Sequence, residues 1–476
     1  MKTVHVCIHL LLATAIRTQG SIHDTTDTPK TACQAKAQLK AMATKLEGAV
    51  KTQSEQIAAA LPKFLQLYAA ASTEVLTGTQ KLMLLLPAAA AKLQAASNNL
   101  QKYQATILEA SRALTELAGV QQMVAEAGAR EISGKDAATA ATWIGAAGMQ
   151  KKLKDLSGAQ PECATGAPHL GAAKQPKAAV HGTYPITVIH LQAADNIAAG
   201  ENGNGPRICG HSSTSPAQTC QADAQTSVAN LLLTPGKLTK PLPTNYQPPS
   251  ASEKAYKAQP KRTTGLMPPQ KTVENLLSNL HTAETAAATL IFKASDIDPA
   301  QLISDTETEQ ALLQILKPGE KRSKIGDYTE QINKLKKKLY ATDQSDHGEK
   351  LNKALELTKT TAESSSEHKT DALNAVTDFT QLAASTTHNM LAATKKVHQR
   401  RTSIAAMKKN RTNAKAIVNG IKKRESANPK VEKRKLKHGI MEKQTQTPQE
   451  AILLSLTRPL FGLHFRFCHN TFRLFF

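Results

Sequence analysis

From Ala32 to about Met149 the apolar positions recur at helical spacing. Leu39, Met42, Leu46 and Val50 line one face of a first helix. Further on, Leu93, Leu100, Ile107 and Leu114 fall seven apart, and Ala96, Tyr103, Ala110, Leu117 and Val124 supply the alternate positions. An a/d repeat of this length predicts a coiled-coil helix. Between the two runs, "EVLTGTQKLMLLLPAAA" carries Gly78 and Pro87, natural places to break or turn a helix. The apolar run Leu82 to Leu86 is far too short to span a membrane. The pattern predicts two long helices over about 32–149 folded as an antiparallel hairpin. One seam is hidden inside it, and other small apolar faces are left for a partner copy.

The pattern changes over about 150–268. "HGTYPITVIHLQ" alternates as a strand does, "GENGNGPRICGHSSTSPAQTC" is loop-forming, and "PLPTNYQPPS" and "GLMPPQ" are proline punctuation. This predicts a loop-rich lobe. Helical spacing returns over about 273–393, starting with Leu276, Leu277, Leu280, Leu290 and Ile291, with Pro318-Gly319 as a stop. The segment 395–476 has few apolar residues before Ile440 and is expected to have no compact fold. The fold class expected is therefore mainly α: a long antiparallel coiled-coil hairpin in an elongated dimeric bundle, a loop-rich lobe and a disordered C-terminal tail.

Composition sharpens this picture. Aromatic residues make up only 4% of the 476, against 40% hydrophobic overall, which suits side-by-side alanine-rich helices better than a thick aromatic core. The net charge of +22 is unevenly placed. Between Lys395 and Gly439 sixteen Lys or Arg face two acids, so most of the excess belongs to the tail. At the other end, "MKTVHVCIHLLLATAIRTQGS" has the layout of a secretory signal over residues 1–20. Removing it takes Cys7 away and leaves Cys33, Cys163, Cys209 and Cys220 in the body, with Cys468 alone in the tail. An even number in an exported body argues for two disulfides. Of the three connectivities that four cysteines allow, Cys33–Cys163 with Cys209–Cys220 is favoured.

The search for catalytic chemistry is negative. "GAREISGKD" spaces Gly128 and Gly134 wrongly for a P-loop and has Asp136 where a Ser or Thr is needed. "GENGNG" lacks a flanking strand and helix. His169, His181, His190 and His211 are scattered and read as surface or loop histidines. There is no nucleophile elbow and no zinc-protease helix, so no enzyme, metal or cofactor is expected.

The order of features has a family likeness. A signal peptide precedes a cysteine at the start of a long alanine-rich hairpin, and a loop-rich lobe and further helices follow. With "TACQAKAQLKAMATKLEGAVK" and "NNLQKYQATILEASRALTELAGVQQMVAEAG" as the most telling pieces, residues 21–390 resemble the A-type N-terminal domain of trypanosome variant surface glycoproteins. The resemblance implies a homodimeric cell-surface coat antigen, anchored in the plasma membrane through glycosylphosphatidylinositol. Such an antigen shields the membrane, meets host antibodies and supports antigenic variation. The alternative is a surface receptor or ligand-binding module on the same scaffold.

The C-terminal region departs from that family. It has no cysteine-rich domain, and its apolar end is interrupted by Arg458, His464, Arg466 and Arg473, unlike an anchor signal. Read two bases later, the codons of Ile417, Val418 and Asn419 can encode Cys-Lys-Trp. Those from Glu432 to Leu436 can encode an acidic run. The family's usual ending thus fits a shifted frame, and the basic cluster reads as its out-of-frame translation. The cluster has no aromatic residue for base stacking and no DNA-binding module, so no nucleic-acid partner is expected. Asn410-Arg411-Thr412 is the sole glycosylation motif and lies in this region.

Overall fold

The structure is a computed structural model. It describes residues 28–77, 81–144, 185–194, 205–213, 230–250, 255–262, 264–340, 372–376 and 378–426, together with Cys163, Cys220, Leu351, Lys353 and Leu355. The expected signal peptide, most of the loop-rich lobe before Pro185 and the segment 427–476 lie outside the described residues. The chain divides into two compact units, one of residues 1–59 and 92–294, the other of residues 60–91 and 295–476.

Two long helices run through both units: α1 (Ala32–Thr77) and α2 (Leu86–Gly128). In the first unit they are antiparallel neighbours. Lys36 Nζ donates to Gln122 Oε1 at 2.6 Å, and Ser111 Oγ donates to Glu47 Oε1 at 2.8 Å. Their apolar stripes meet in one core: Leu39, Met42 and Leu46 from α1, and Ile107, Ala110, Leu114, Leu117 and Ala118 from α2. Alanine at many contacts lets two such helices approach closely with little side-chain entropy to lose. Gly119 sits in the interior of α2, exposed, with open space where a Cβ would be. Gly119→Ala should therefore raise stability by about 0.5–1 kcal/mol, read as an upward shift of the urea midpoint with unchanged slope.

The hairpin was expected to be helical to about residue 149, but α2 ends at Gly128 and is followed by β1 (Glu131–Ile132), β2 (Lys135–Thr139), α3 (Ala140–Ile144), β3 (Ile186–Ala193), β4 (Arg207–His211), β5 (Asn230–Thr234), β6 (Gly236–Lys237), β7 (Thr239–Gln247) and β8 (Lys257–Gln259). They form three small antiparallel sheets, ordered β1-β6, β2-β5-β4 and β3-β7-β8. β3 was expected to alternate, yet Ile186 through Leu191 are all buried. The sheet is covered on both faces, one by Ala32, Ala35 and Val124, the other by α4 (Gln270–Leu276) and α5 (Leu280–Ala287) through Val273, Leu277 and Ala283.

The third sheet shows how an edge strand is managed. Ile189 and Leu191 turn their backbone groups away from β7. Gln121 of α2 satisfies the first, its Oε1 accepting from Ile189 N at 2.9 Å and its Nε2 donating to Ile189 O at 3.0 Å. Met267 satisfies the second through two backbone hydrogen bonds with Leu191, 2.8 and 2.9 Å. Opposite them on β7 stand Pro243 and Pro241, which have no N–H to offer. At these non-bonded positions the missing donor points away from β3, and β8 pairs only with Asn245 to Gln247, so the ladder loses nothing. At Gly128, which ends α2, a Cβ would lie 3.0 Å from Leu191 Cδ2, so a larger residue there would press on that methyl and the leucine side chain would have to shift slightly.

The second unit is built around the turn of the hairpin. Phe64, Leu67 and Ala69 to Ala71 from α1 are buried, as are Leu82, Leu84 to Leu86 and Ala88 to Ala90. α1 ends at Thr77, one residue before Gly78, and α2 begins with Pro87 in its first turn, where a missing N–H is harmless. Pro62 was not expected inside α1. Its ring removes the N–H that would bond one turn back. The remaining helices are α6 (Pro299–Leu302), α7 (Thr306–Leu316), α8 (Thr329–Tyr340) and α9 (Phe379–Ser426). Asp305 caps α7 by accepting from Glu307 N at 3.0 Å, and Gly319, with φ +86°, makes the expected stop. Leu84, Leu312, Leu313 and Ile332 form a separate small core. Leu382, Ser385, Thr386 and Asn389 are the buried face of α9.

α9 continues to Ser426, well into the stretch expected to be without compact fold. The difference is one of local structure. From Lys395 to Lys415 each residue whose side chain is described is exposed.

The turn itself depends on Glu74. One carboxylate oxygen, Oε2, accepts from Leu82 N at 2.7 Å and Met83 N at 3.3 Å. Tyr340 donates to the Lys81 carbonyl beside it at 2.8 Å. Burial pushes the Glu74 carboxyl above the usual range, and the two N–H groups oppose that only in part. Glu74→Ala should cost about 1–2 kcal/mol, as loss of a helix cap does. Glu74→Gln keeps an acceptor oxygen without the desolvated charge and should stay within about 0.5 kcal/mol of the parent. Urea unfolding of the two variants side by side checks this.

Candidate functional site

Cys33 lies in the first turn of α1, and its sulfur is bonded to that of Cys163, 130 residues away. The pair packs with Ala37 of α1 and Ala125 of α2, so the crosslink sits at the open end of the hairpin, against both helices. The second disulfide, Cys209–Cys220, spans 11 residues and closes a loop that begins on β4. The connectivity favoured from the sequence is thus the one present. Cys33 is almost fully buried, and the covalent bond holds Cys163 against the two helices.

The predicted seam residues are all on α2. Leu93, Ala96, Ile107, Ala110, Leu114 and Leu117 are buried, and Leu100 and Tyr103 are half-buried against the same core. From Leu100 to Leu117 they share one core with α1, α4, α5 and the third sheet of this same chain. The first-helix face expected from Leu39, Met42, Leu46 and Val50 meets them from the other side. The heptad therefore describes the interior of one chain. One member of the series was missed. Gln121 follows Leu114 by seven residues, fully buried and polar, and a lone polar residue in an apolar seam was the available signal that it has a specific partner. Asn410 lies on α9, and its side chain is outside the described residues.

The histidines need a correction. His190 and His211, expected at the surface or in loops, are fully or almost fully buried on strands β3 and β4. His169 and His181 lie outside the described residues. His190 Nδ1 is 2.6 Å from the Pro268 carbonyl, and Nε2 is 3.0 Å from the Tyr246 hydroxyl. His211 Nδ1 lies 2.6 Å from the Ser213 carbonyl. Each ring is spoken for by neighbours the strand pattern does not reveal. Tyr256 donates to Glu284 Oε1 at 2.9 Å, and burial together with that carboxylate holds its phenol far above the usual range. Burial likewise raises Tyr246, with Glu274 adding to it.

Among the described residues no three His, Cys, Asp or Glu side chains come together as a metal-holding group. No described helix is long and apolar enough to cross a membrane. Gln121, His190, Tyr246 and Tyr256 are each hydrogen-bonded to a neighbour within the first unit. Their geometry fits structural hydrogen bonding.

The fold and its crosslinks define a class: a disulfide-pinned helical-hairpin protein carrying small sheets beside the hairpin. Among solved structures the chain is similar to several variant surface glycoproteins. Against the crystal structure of Variant Surface Glycoprotein VSG13 it has 14% identity and a TM-score of 0.47, with 77% of this chain and 99% of that chain covered. Against Variant Surface Glycoprotein VSGsur bound to suramin the values are 16%, 0.46, 76% and 97%. Against Variant Surface Glycoprotein VSGsur they are 17%, 0.40, 78% and 99%. No protein-family profile and no curated protein matches the chain.

Proposed function

We propose that this chain is a cell-surface coat antigen that acts by steric shielding and by sequence replacement, without catalysis. The observation that carries the reading is the hairpin pinned at its open end. Its stability rests in an interior alanine- and leucine-rich seam and a disulfide, so its exposed loops and helix faces can vary without loss of fold. The order of features noted in the sequence supports it as well. On this reading the chain forms a homodimer and faces the extracellular side, where host antibodies meet its loops.

The test is expression of the full chain in a cell that exports it, followed by labelling with a membrane-impermeant biotin ester. Dense surface labelling, with exclusion of antibodies from a short epitope-tagged membrane protein beneath it, is the expected result. Surface display at high density that leaves access to the short protein unchanged would count against shielding. Release of the label by phosphatidylinositol-specific phospholipase reads out the anchor separately.

A further inference from the structure

Among the buried titratable rings described in the first unit, that of His190 has both nitrogens engaged by named partners. A carbonyl oxygen only accepts, so the 2.6 Å contact with Pro268 O places the hydrogen of the His190 ring on Nδ1. Nε2 then carries the lone pair and accepts the Tyr246 hydroxyl hydrogen at 3.0 Å. The neutral ring is fully satisfied. Through Pro268 it ties β3 to the segment 264–269, the same segment whose Met267 covers the free edge of Leu191.

We propose that His190 is an acid-sensitive latch, holding the 264–269 segment and β7 to β3 while neutral and releasing them when protonated. A second proton can go only to Nε2. There it meets the Tyr246 hydroxyl, which must turn from donor to acceptor and give up its own hydrogen bond. The charge also arises in a site with no exposure to water. The elements packed around the ring supply little to offset it. α2 contributes the neutral Gln121, engaged with Ile189. On the α4 side Glu274 lies near Tyr246 but pairs with Lys257 at 3.6 Å. Beyond β3, Arg262 is occupied by Gln192 at 3.1 Å. No carboxylate is bonded to the ring among the described residues.

The direction follows from linkage. Burial holds the folded-state pKa of His190 below its ordinary value, opposed only by the Pro268 carbonyl. The unfolded chain therefore binds the extra proton first. Stability is complete above the ordinary histidine value near 6.5 and falls as the pH drops below it.

The experiment is urea unfolding of the full, disulfide-intact chain at pH 7.5, 6.5, 5.5 and 5.0, followed by fluorescence of Trp143. That residue is the chain's single tryptophan, and it is buried in the first unit. The comparison is His190→Asn, whose amide can still donate to Pro268 and does not titrate. Between pH 7.5 and 5.0 the folded-to-unfolded ratio of the parent should fall more than that of the variant, by up to about thirtyfold. Parallel pH curves would overturn the latch. Should the variant fail to fold, the ring nitrogen resonances of the parent decide. A neutral Nδ1–H tautomer that persists until unfolding supports the proposal, and an ordinary titration near pH 6.5 in the folded protein refutes it.

Discussion

Replacing both Cys33 and Cys163 by alanine should lower the stability of the first unit by roughly 4–5 kcal/mol. In the chain-entropy account the gain from a crosslink grows with the logarithm of the loop it closes. Cys33–Cys163 closes 130 residues and Cys209–Cys220 closes 11. The same relation gives the shorter bridge about 3 kcal/mol at most. Alanine is preferred to serine because Cys33 is almost fully buried, and a hydroxyl there would add its own desolvation cost. The measurement is the urea midpoint read from Trp143 fluorescence for each double variant. The first pair should shift it well beyond the second. Equal shifts, or a change of less than about 1 kcal/mol for the first pair, would mean that residue 163 is held by packing and that the bond is incidental.

The helices were legible because their packing leaves a period in the sequence. Leu39, Met42 and Leu46, and the heptad from Leu93 to Leu117, are buried where the spacing placed them, with Leu100 and Tyr103 half-buried against the same core. The turn was legible for another local reason. Pro87 marks a helix start, where its missing N–H costs nothing, and it acts within one turn of chain. Pro62 shows the limit of such signals, since a long helix held by tertiary contacts accommodates an internal proline.

The sheets were less legible because their cover comes from far away in sequence. β3 is buried on both faces by helices more than sixty residues away on either side, which erases the alternation a one-sided strand would show. The same distance hid His190. Nothing near it in sequence indicates that Pro268 and Tyr246 will engage both ring nitrogens. Gln121 was missed for a reason closer to hand. It interrupts an apolar series, and only the third sheet shows that its amide serves as a strand partner for Ile189. The basic stretch of α9 contrasts with all of these. Its local helix propensity is expressed as far as Ser426, a conformation that composition alone did not indicate.

Ile107→Asp should unfold the first unit, at a cost of about 4 kcal/mol or more. Ile107 is fully buried in the core that joins α1, α2, α4, α5 and the third sheet, among Leu46, Leu114 and Val273. A carboxylate there has no partner, and its burial adds to the loss of the isoleucine's own packing. Ile107→Val, which removes one methyl, should cost only about 0.5–1.5 kcal/mol. Met123→Asp, on the same helix but 69% exposed, should stay within about 0.5 kcal/mol. Trp143 fluorescence under urea gives the three values, and sedimentation at micromolar concentration gives the association state of whatever remains folded. The combination separates two meanings of a heptad. If the seam belongs to the chain's interior, Ile107→Asp abolishes the folded monomer itself. A variant that stayed folded and merely lost its self-association would instead place Ile107 between copies, and the interior assignment would have to be given up.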